Sequence, residues 1–167
     1  MQNENLNVNS QNIKEHAAKK LKENRKFLNN LKKNSNKKLL KIVPQIHDEV
    51  FEKTNCLECA NCCKTISPVF KERDIKRISK LFNLNDKSFI ATYLFLDEDN
   101  EYVLQQTPCV FLGDDNKCLI YDSRPEACRH YPHTDKKPLL KIKNLTLKNS
   151  AVCPAVYNIL ERLKDVS

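Results

Sequence analysis

The chain has a single glycine in 167 residues and no tryptophan. A glycine loop that cradles phosphates needs several glycines close together, so nucleotide binding of that kind is excluded. Nowhere does an uninterrupted apolar run reach the roughly 18 residues that a membrane span needs. The opening MQNENLNVNSQN has no basic segment leading into an apolar one, so it does not read as a secretory signal. These absences together predict a cytoplasmic protein with no transmembrane segment. Acidic residues are scarce in one place only. From Met1 to Val43 there are 11 Lys and Arg against 3 Asp and Glu, whereas from Pro44 to Ser167 the numbers are 18 and 18. The net charge of +8 therefore resides in an N-terminal arm, and the rest is balanced.

What the chain does have is cysteine: eight in all, four of them in CLECANCC at 56–63. An isolated cysteine is an ordinary small buried hydrophobe, but that account is poor for four in eight residues. A disulfide framework does not suit a reducing compartment. A nucleophilic thiol with a histidine base needs one cysteine, and this pattern spends eight. A metal site is the reading that remains.

Cys56, Cys59 and Cys62 follow the step C-x2-C-x2-C, which lets thiolates wrap one metal centre. Bacterial ferredoxins take three ligands from this spacing and the fourth from a distant Cys-Pro, and Cys153-Pro154 is such a pair. Adjacent side chains tend to diverge, so Cys62 and Cys63 are not expected to share one tetrahedral ion. One of the two would serve a second site, bridge two metals or be a plain buried thiol. Cys109 and Cys118 flank the turn Gly113–Asn116. Cys128 and Cys153 sit at predicted helix starts, where the dipole favours a thiolate. Lys64, Arg124 and Arg129 are placed to offset the negative charge of a four-thiolate centre, or else are solvated surface charges. His130 and His133 can also ligate zinc or iron, though a partly buried structural histidine is commoner; His16 and His47 are less well placed. Eight thiols suffice for two four-thiolate zinc sites, or for one four-iron cluster with four to spare.

Periodicity supplies the elements. Residues 1–11 read as disordered. A basic amphipathic helix runs from Ile13 through Ala17, Leu21, Leu28 and Leu31. A second passes Leu39, Leu40 and Val43, and Pro44 must kink or restart it before Ile46, Val50 and Phe51. Ser67-Pro68 suits a helix start, with Ile75, Ile78, Leu81 and Phe82 on one face beyond it. Asp86 can cap a helix carrying Phe89, Ile90, Tyr93 and Leu94. EYVLQQ is a strand, CVFLGDDNKCLIY (109–121) a hairpin, and PLLKIKNLTL (138–147) a further strand. Ser123 and Glu126 form a capping box around a short helix holding Cys128. Cys153-Pro154 opens a last helix with Val156, Ile159, Leu160 and Leu163 inward. The expected fold is α+β, mostly helical with two or three short strands around a cysteine-ligated metal site. Its organisation is an arm at 1–43 and a metal-binding domain at 44–167.

CLECANCC, followed by PCVFLGDDNKCLIYDSRPEACRHYP at 108–132, resembles the bacterial CxxCxxCC family, named for zinc or iron chelation. The hallmark is C-x2-C-x2-C-C, met by Cys56, Cys59, Cys62 and Cys63. A second block follows it, met by Pro108, Cys109, Cys118, Ile120, Tyr121, Arg124, Pro125, Cys128, Arg129, Tyr131 and Pro132, with Leu119 in an open position. The resemblance covers roughly Cys56 to Cys153 and implies that these cysteines chelate metal. A flagellin lysine methylase is similar over the same motifs. No S-adenosylmethionine site is recognisable here, so that activity is not carried over.

The functional expectation is a protein that chelates zinc or iron through Cys56, Cys59, Cys62, Cys63, Cys109, Cys118, Cys128 and Cys153. An iron–sulfur enzyme or accessory protein in electron transfer or protein modification is the alternative, and a nucleic-acid-associated factor with a structural metal is a third. The basic arm suits an acidic protein, a membrane surface or nucleic acid, unless it is simply a solvated helix packed through Leu21, Leu28 and Leu31. Phe27 is its single aromatic, so base stacking is not indicated.

Overall fold

The computed structural model describes residues 8–33, 36–135 and 138–167. In chain order, α1 (Ile13–Asn30), α2 (Lys37–Phe51) and α3 (Cys56–Cys59) precede α4 (Asn61–Thr65), β1 (Val69–Phe70), α5 (Glu72–Leu81) and α6 (Asp86–Tyr93). β2 (Leu94–Leu96), β3 (Tyr102–Leu104), α7 (Glu126–Arg129), α8 (Lys143–Asn149) and α9 (Pro154–Asp165) follow, with 3-10 turns at Tyr121–Ser123 and Leu139–Lys141. The chain is α+β, mostly helical with one small sheet. The described residues of Met1–Cys59 and Pro132–Ser167 form one compact unit, and Ala60–Tyr131 form another.

The first unit is helical. On α9, Val156, Ile159, Leu160 and Leu163 repeat at helical spacing, and each is at most 1% exposed. Leu39, Val43, Ile46 and Val50 of α2, with Leu28 and Leu31 from the end of α1, complete that core. Each such side chain contributes about 1.5–3 kcal/mol by leaving water. Lys143 donates its ammonium to the Leu31 carbonyl at 2.7 Å, a cation where the α1 carbonyls end.

The second unit carries a three-stranded antiparallel sheet in the order β1-β3-β2, with Val103 of β3 between Val69 and Phe95. Asn100, at φ 56°, turns β2 into β3, and Asp97 accepts from the Asp99 and Glu101 N–H groups. Against the sheet lie buried Phe70, Ile75, Ile78, Phe89 and Phe111. Rings of Phe82, Phe89, Tyr93 and Phe111 pack at centroid separations of 5.0–6.5 Å. Phe111 and Ile120 thereby anchor both arms of the loop that carries Cys109 and Cys118.

Several local expectations are corrected. Pro44 lies inside a continuous α2; it faces solvent, so water can reach the carbonyl that its missing N–H leaves unpaired. PLLKIKNLTL is a 3-10 turn followed by α8, because its buried positions Leu139, Ile142, Thr146 and Asn149 recur every three to four residues. Val8 is buried and Asn9 accepts from the Gln11 and Asn12 N–H groups, so residues 8–11 are ordered; 1–7 lie outside the described residues. The buried face of α1 is Ile13, Ala17, Asn24 and Leu28, with Leu21 exposed. Leu81 is likewise exposed. Ser67 sends its hydroxyl to β3, accepting from Leu104 N–H at 2.7 Å, and β1 intervenes before α5. Asn85, not Asp86, caps α6 by accepting from Ser88 N–H, while Asp86 accepts from the Ser79 hydroxyl. Ser123 sits in the 3-10 turn and makes no cap for α7, whose N-cap is Pro125.

Candidate metal centre

The opening octet forms two one-turn helices. The Asn55 side chain accepts from Leu57 N–H at 3.1 Å and so starts α3, which holds Cys56 and Cys59. Ala60 follows in the left-handed region, at φ 47° and ψ 14°, a conformation that costs an L-residue with a Cβ about 1–2 kcal/mol. It ends α3, and α4, beginning at Asn61, carries Cys62 and Cys63. Their sulfurs lie 4.0 Å apart, which corrects the expectation that neighbouring thiols diverge. Two sulfurs bound to one tetrahedral zinc at ~2.3 Å stand about 3.8 Å apart, so this spacing is compatible with a shared ion.

The loop beyond β3 comes back to that helix. Cys109 N–H donates to the Cys63 carbonyl at 2.8 Å, directly after the cis Thr107–Pro108 peptide. Leu112 and Cys118 form a β-bridge, Leu119 N–H donates to Phe111, and Gly113 N–H donates to Lys117, closing the turn between the two cysteines. The left-handed position in this turn belongs to Asn116, at φ 65°, and not to the glycine. Gly113 serves for space: a Cβ there would lie 3.3 Å from the Lys117 carbonyl oxygen and 3.0 Å from Asp115 Oδ1.

Cys128 is positioned by two residues that the motifs did not flag. Asp74, 3% exposed on α5, accepts from Arg77 Nη2 at 2.8 Å, from Lys71 N–H at 3.3 Å and from Glu126 N–H at 3.2 Å. Arg77 in turn donates to the carbonyls of Ser123 and Arg124. One ion pair thus fixes the 121–126 segment, and with it the four-residue helix carrying Cys128. A D-x-x-R spacing on a helix is common, so no local signal distinguishes it.

Within Ala60–Tyr131 the thiols sense one another. Burial above all, and then Cys63, Cys109 and Cys118, push Cys128 up to about 12. Cys109 is pushed up to about 11 by burial, with Cys63 and Cys118 adding to it. Cys118 is raised by burial and by Cys63. Cys63 goes the other way, to about 7, because Cys62 hydrogen-bonds its sulfur, with Lys64 assisting. Arg124, whose guanidinium lies 3.8 Å over the Tyr121 ring, lowers Cys118 and Cys128.

In the other unit Cys153 is the N-cap of α9, with Pro154 in the first turn. Burial pushes its thiol up to about 11, and Cys56 and Cys59 add to that against the opposing N–H groups of Val156 and Ala155. The expectation that helix starts would hold Cys128 and Cys153 as thiolates is therefore corrected: desolvation outweighs the helix ends.

By their electrostatic influence Cys63, Cys109, Cys118 and Cys128 fall into one set, with the Cys62 sulfur 4.0 Å from that of Cys63. Cys56, Cys59 and Cys153 form a second set. Cys56 is exposed and the other seven are half-buried. Among the described residues no three Cys, His, Asp or Glu side chains close around a point that could hold an ion. The donor chemistry nonetheless suits a soft cation: thiolates that repel one another through a dry interior are what a divalent metal stabilises. His47 has a structural role, its Nδ1 2.7 Å from the Thr134 hydroxyl and its ring stacked on Phe51. No helix among the described residues is long and apolar enough to cross a membrane.

A family model, CxxCxxCC, described as "Putative zinc- or iron-chelating domain", matches residues 55–154. The matched span includes all eight cysteines and excludes the basic arm. No curated protein and no solved structure matches the chain.

Proposed function

The chain belongs to the CxxCxxCC family of zinc- or iron-chelating domains, and from that membership we propose that its eight cysteines are the chelating groups. The observation that supports this most is the electrostatic influence that links Cys63, Cys109, Cys118 and Cys128. They come from a helix, both arms of a turn and a second helix, yet Cys63 raises the thiol pKa of the other three, and Cys109 and Cys118 raise that of Cys128. On this reading those four supply a thiolate set, with Cys62 as an adjacent or bridging donor, and Cys56, Cys59 and Cys153 supply another. A bound zinc or iron centre contributes the positive charge that keeps these sulfurs deprotonated. The chain's own residues do the rest: Arg124 and Lys64 reduce the negative charge, Asp74 and Arg77 hold the Cys128 helix, and the Phe111 cluster holds the turn.

The C-x2-C-x2-C step with a distant Cys-Pro favours iron–sulfur as the second reading within the same proposal. Oxygen-free purification, elemental analysis and an optical spectrum separate the two. Stoichiometric zinc and no colour support thiolate zinc; iron, sulfide and a band near ~400 nm support a cluster. Protein that binds neither metal stoichiometrically after reconstitution overturns the proposal.

A further inference from the structure

From Asn24 to His47 the sequence contains no Asp or Glu and seven cations: Arg25, Lys26, Lys32, Lys33, Lys37, Lys38 and Lys41. All seven are exposed. Of the flanking acids, Asp48 is exposed and takes part in no ion pair among the described residues, while three others are engaged elsewhere. Glu23 pairs with Lys20 and Lys164, Glu15 with Lys19 and Glu49 with Arg162. None of the seven takes part in an ion pair among the described residues. Leu28 and Leu31 of α1 and Leu39 and Val43 of α2 share one core, so the packing holds these charges on a folded surface and not on a loose tail. Lys37, Lys38 and Lys41 also border a cleft of ≈480 Å³ with Asn36, Val166 and Ser167.

We propose that the surface carrying these seven cations is a docking face for double-stranded nucleic acid, held through its phosphates without reading bases. Three observations select that partner. A membrane-surface helix needs an apolar face to insert, and here the apolar faces of α1 and α2, Leu21 apart, are spent on the core. A protein partner would need an extended apolar anchor; among the described residues between Asn24 and His47 no large hydrophobic side chain is exposed, and Val166 at the cleft is a single small one. Single strands are gripped by stacking on aromatics, and Phe27, the aromatic of this stretch, is partly buried against the core. A duplex needs only cations, because it carries one phosphate charge per ~1.7 Å of axis.

The test is fluorescence anisotropy with the full metal-loaded chain and a labelled 20-base-pair DNA duplex. A duplex RNA, a single strand of the same sequence, phosphatidylserine vesicles and polyglutamate complete the set. If four to five of the seven cations meet phosphates, log K should fall with log salt at a slope of about −4, a loss of a few hundred-fold between 50 and 200 mM. A second duplex of unrelated sequence should bind equally. The variant Lys32→Gln/Lys33→Gln/Lys37→Gln should reduce the slope by about 2.7. Lys76→Gln/Lys80→Gln/Lys87→Gln, which alters exposed lysines of the other unit, should leave it unchanged. No duplex binding at 50 mM salt, tighter binding to vesicles, polyglutamate or single strands, or equal losses in the two triple variants would each overturn the proposal.

Discussion

Replacing Asp74 by alanine probes whether a single buried carboxylate positions the Cys128 helix. Its side chain is 4% exposed and receives three hydrogen bonds, one of them from the Arg77 guanidinium. Removing one partner of a fully buried ion pair costs about 3–5 kcal/mol. The Arg77 side chain is 35% exposed, so it recovers part of its hydration and the upper end of that range does not apply. The Glu126 N–H, on an exposed residue, recovers some as well. The expected loss for Asp74→Ala is therefore about 3 kcal/mol, and for Asp74→Asn, which retains an acceptor, about half that. Four of the five tyrosines, Tyr93, Tyr102, Tyr121 and Tyr131, belong to the affected unit, so near-ultraviolet circular dichroism follows it during urea unfolding. At an m-value of about 1.5 kcal/mol/M the midpoint should fall by ~2 M. Metal affinity should fall in parallel, although no thiol has been touched. A midpoint shift below about 0.3 M, or a variant that loses stability but keeps its metal affinity, would refute the positioning role.

Three further outcomes follow from other parts of the structure. Removing the metal with a chelator should lower the thermal midpoint, because thiolates that no longer share a cation repel one another; an unchanged midpoint by calorimetry would count against a structural metal. Asn24 is 1% exposed, and neither side-chain amide atom has a hydrogen-bond partner among the described residues, so Asn24→Leu should raise stability by about 1 kcal/mol in urea titration. Arg162 and Gln45 hydrogen-bond Glu49 and hold its carboxyl below the ordinary range. That contribution is complete above the unfolded carboxylate pKa and is lost as pH falls through the depressed folded value, so Glu49→Gln should lower stability slightly at pH 7 and flatten the fall below about pH 4, with the two proteins converging at the lowest pH.

The candidate ligands could be found from sequence because ligand spacing is a local property. Cys56, Cys59, Cys62, Cys63, Cys109, Cys118, Cys128 and Cys153 all lie within the family match. The last helix was equally plain, since Val156, Ile159, Leu160 and Leu163 repeat at 3.6 residues and a proline marks the start. PLLKIKNLTL misled because its lysines fall so that helical burial at Leu139, Ile142 and Thr146 resembles loose alternation. Asp74 and Arg77 gave no sign, because their partners are backbone groups some 46 to 52 residues away.

By itself, then, the sequence determined which residues are candidate ligands, where the positive charge lies and where most of the longer helices run. Each of these depends on residue type and on neighbours a few positions away. Only the tertiary structure shows which thiols influence one another, with Cys63, Cys109 and Cys118 acting on Cys128 and with Cys56 and Cys59 acting on Cys153. It also decided that burial keeps Cys128 and Cys153 protonated when no cation is near. Desolvation and charge repulsion depend on what packs around a sulfur, and chain segments far apart in sequence supply that packing.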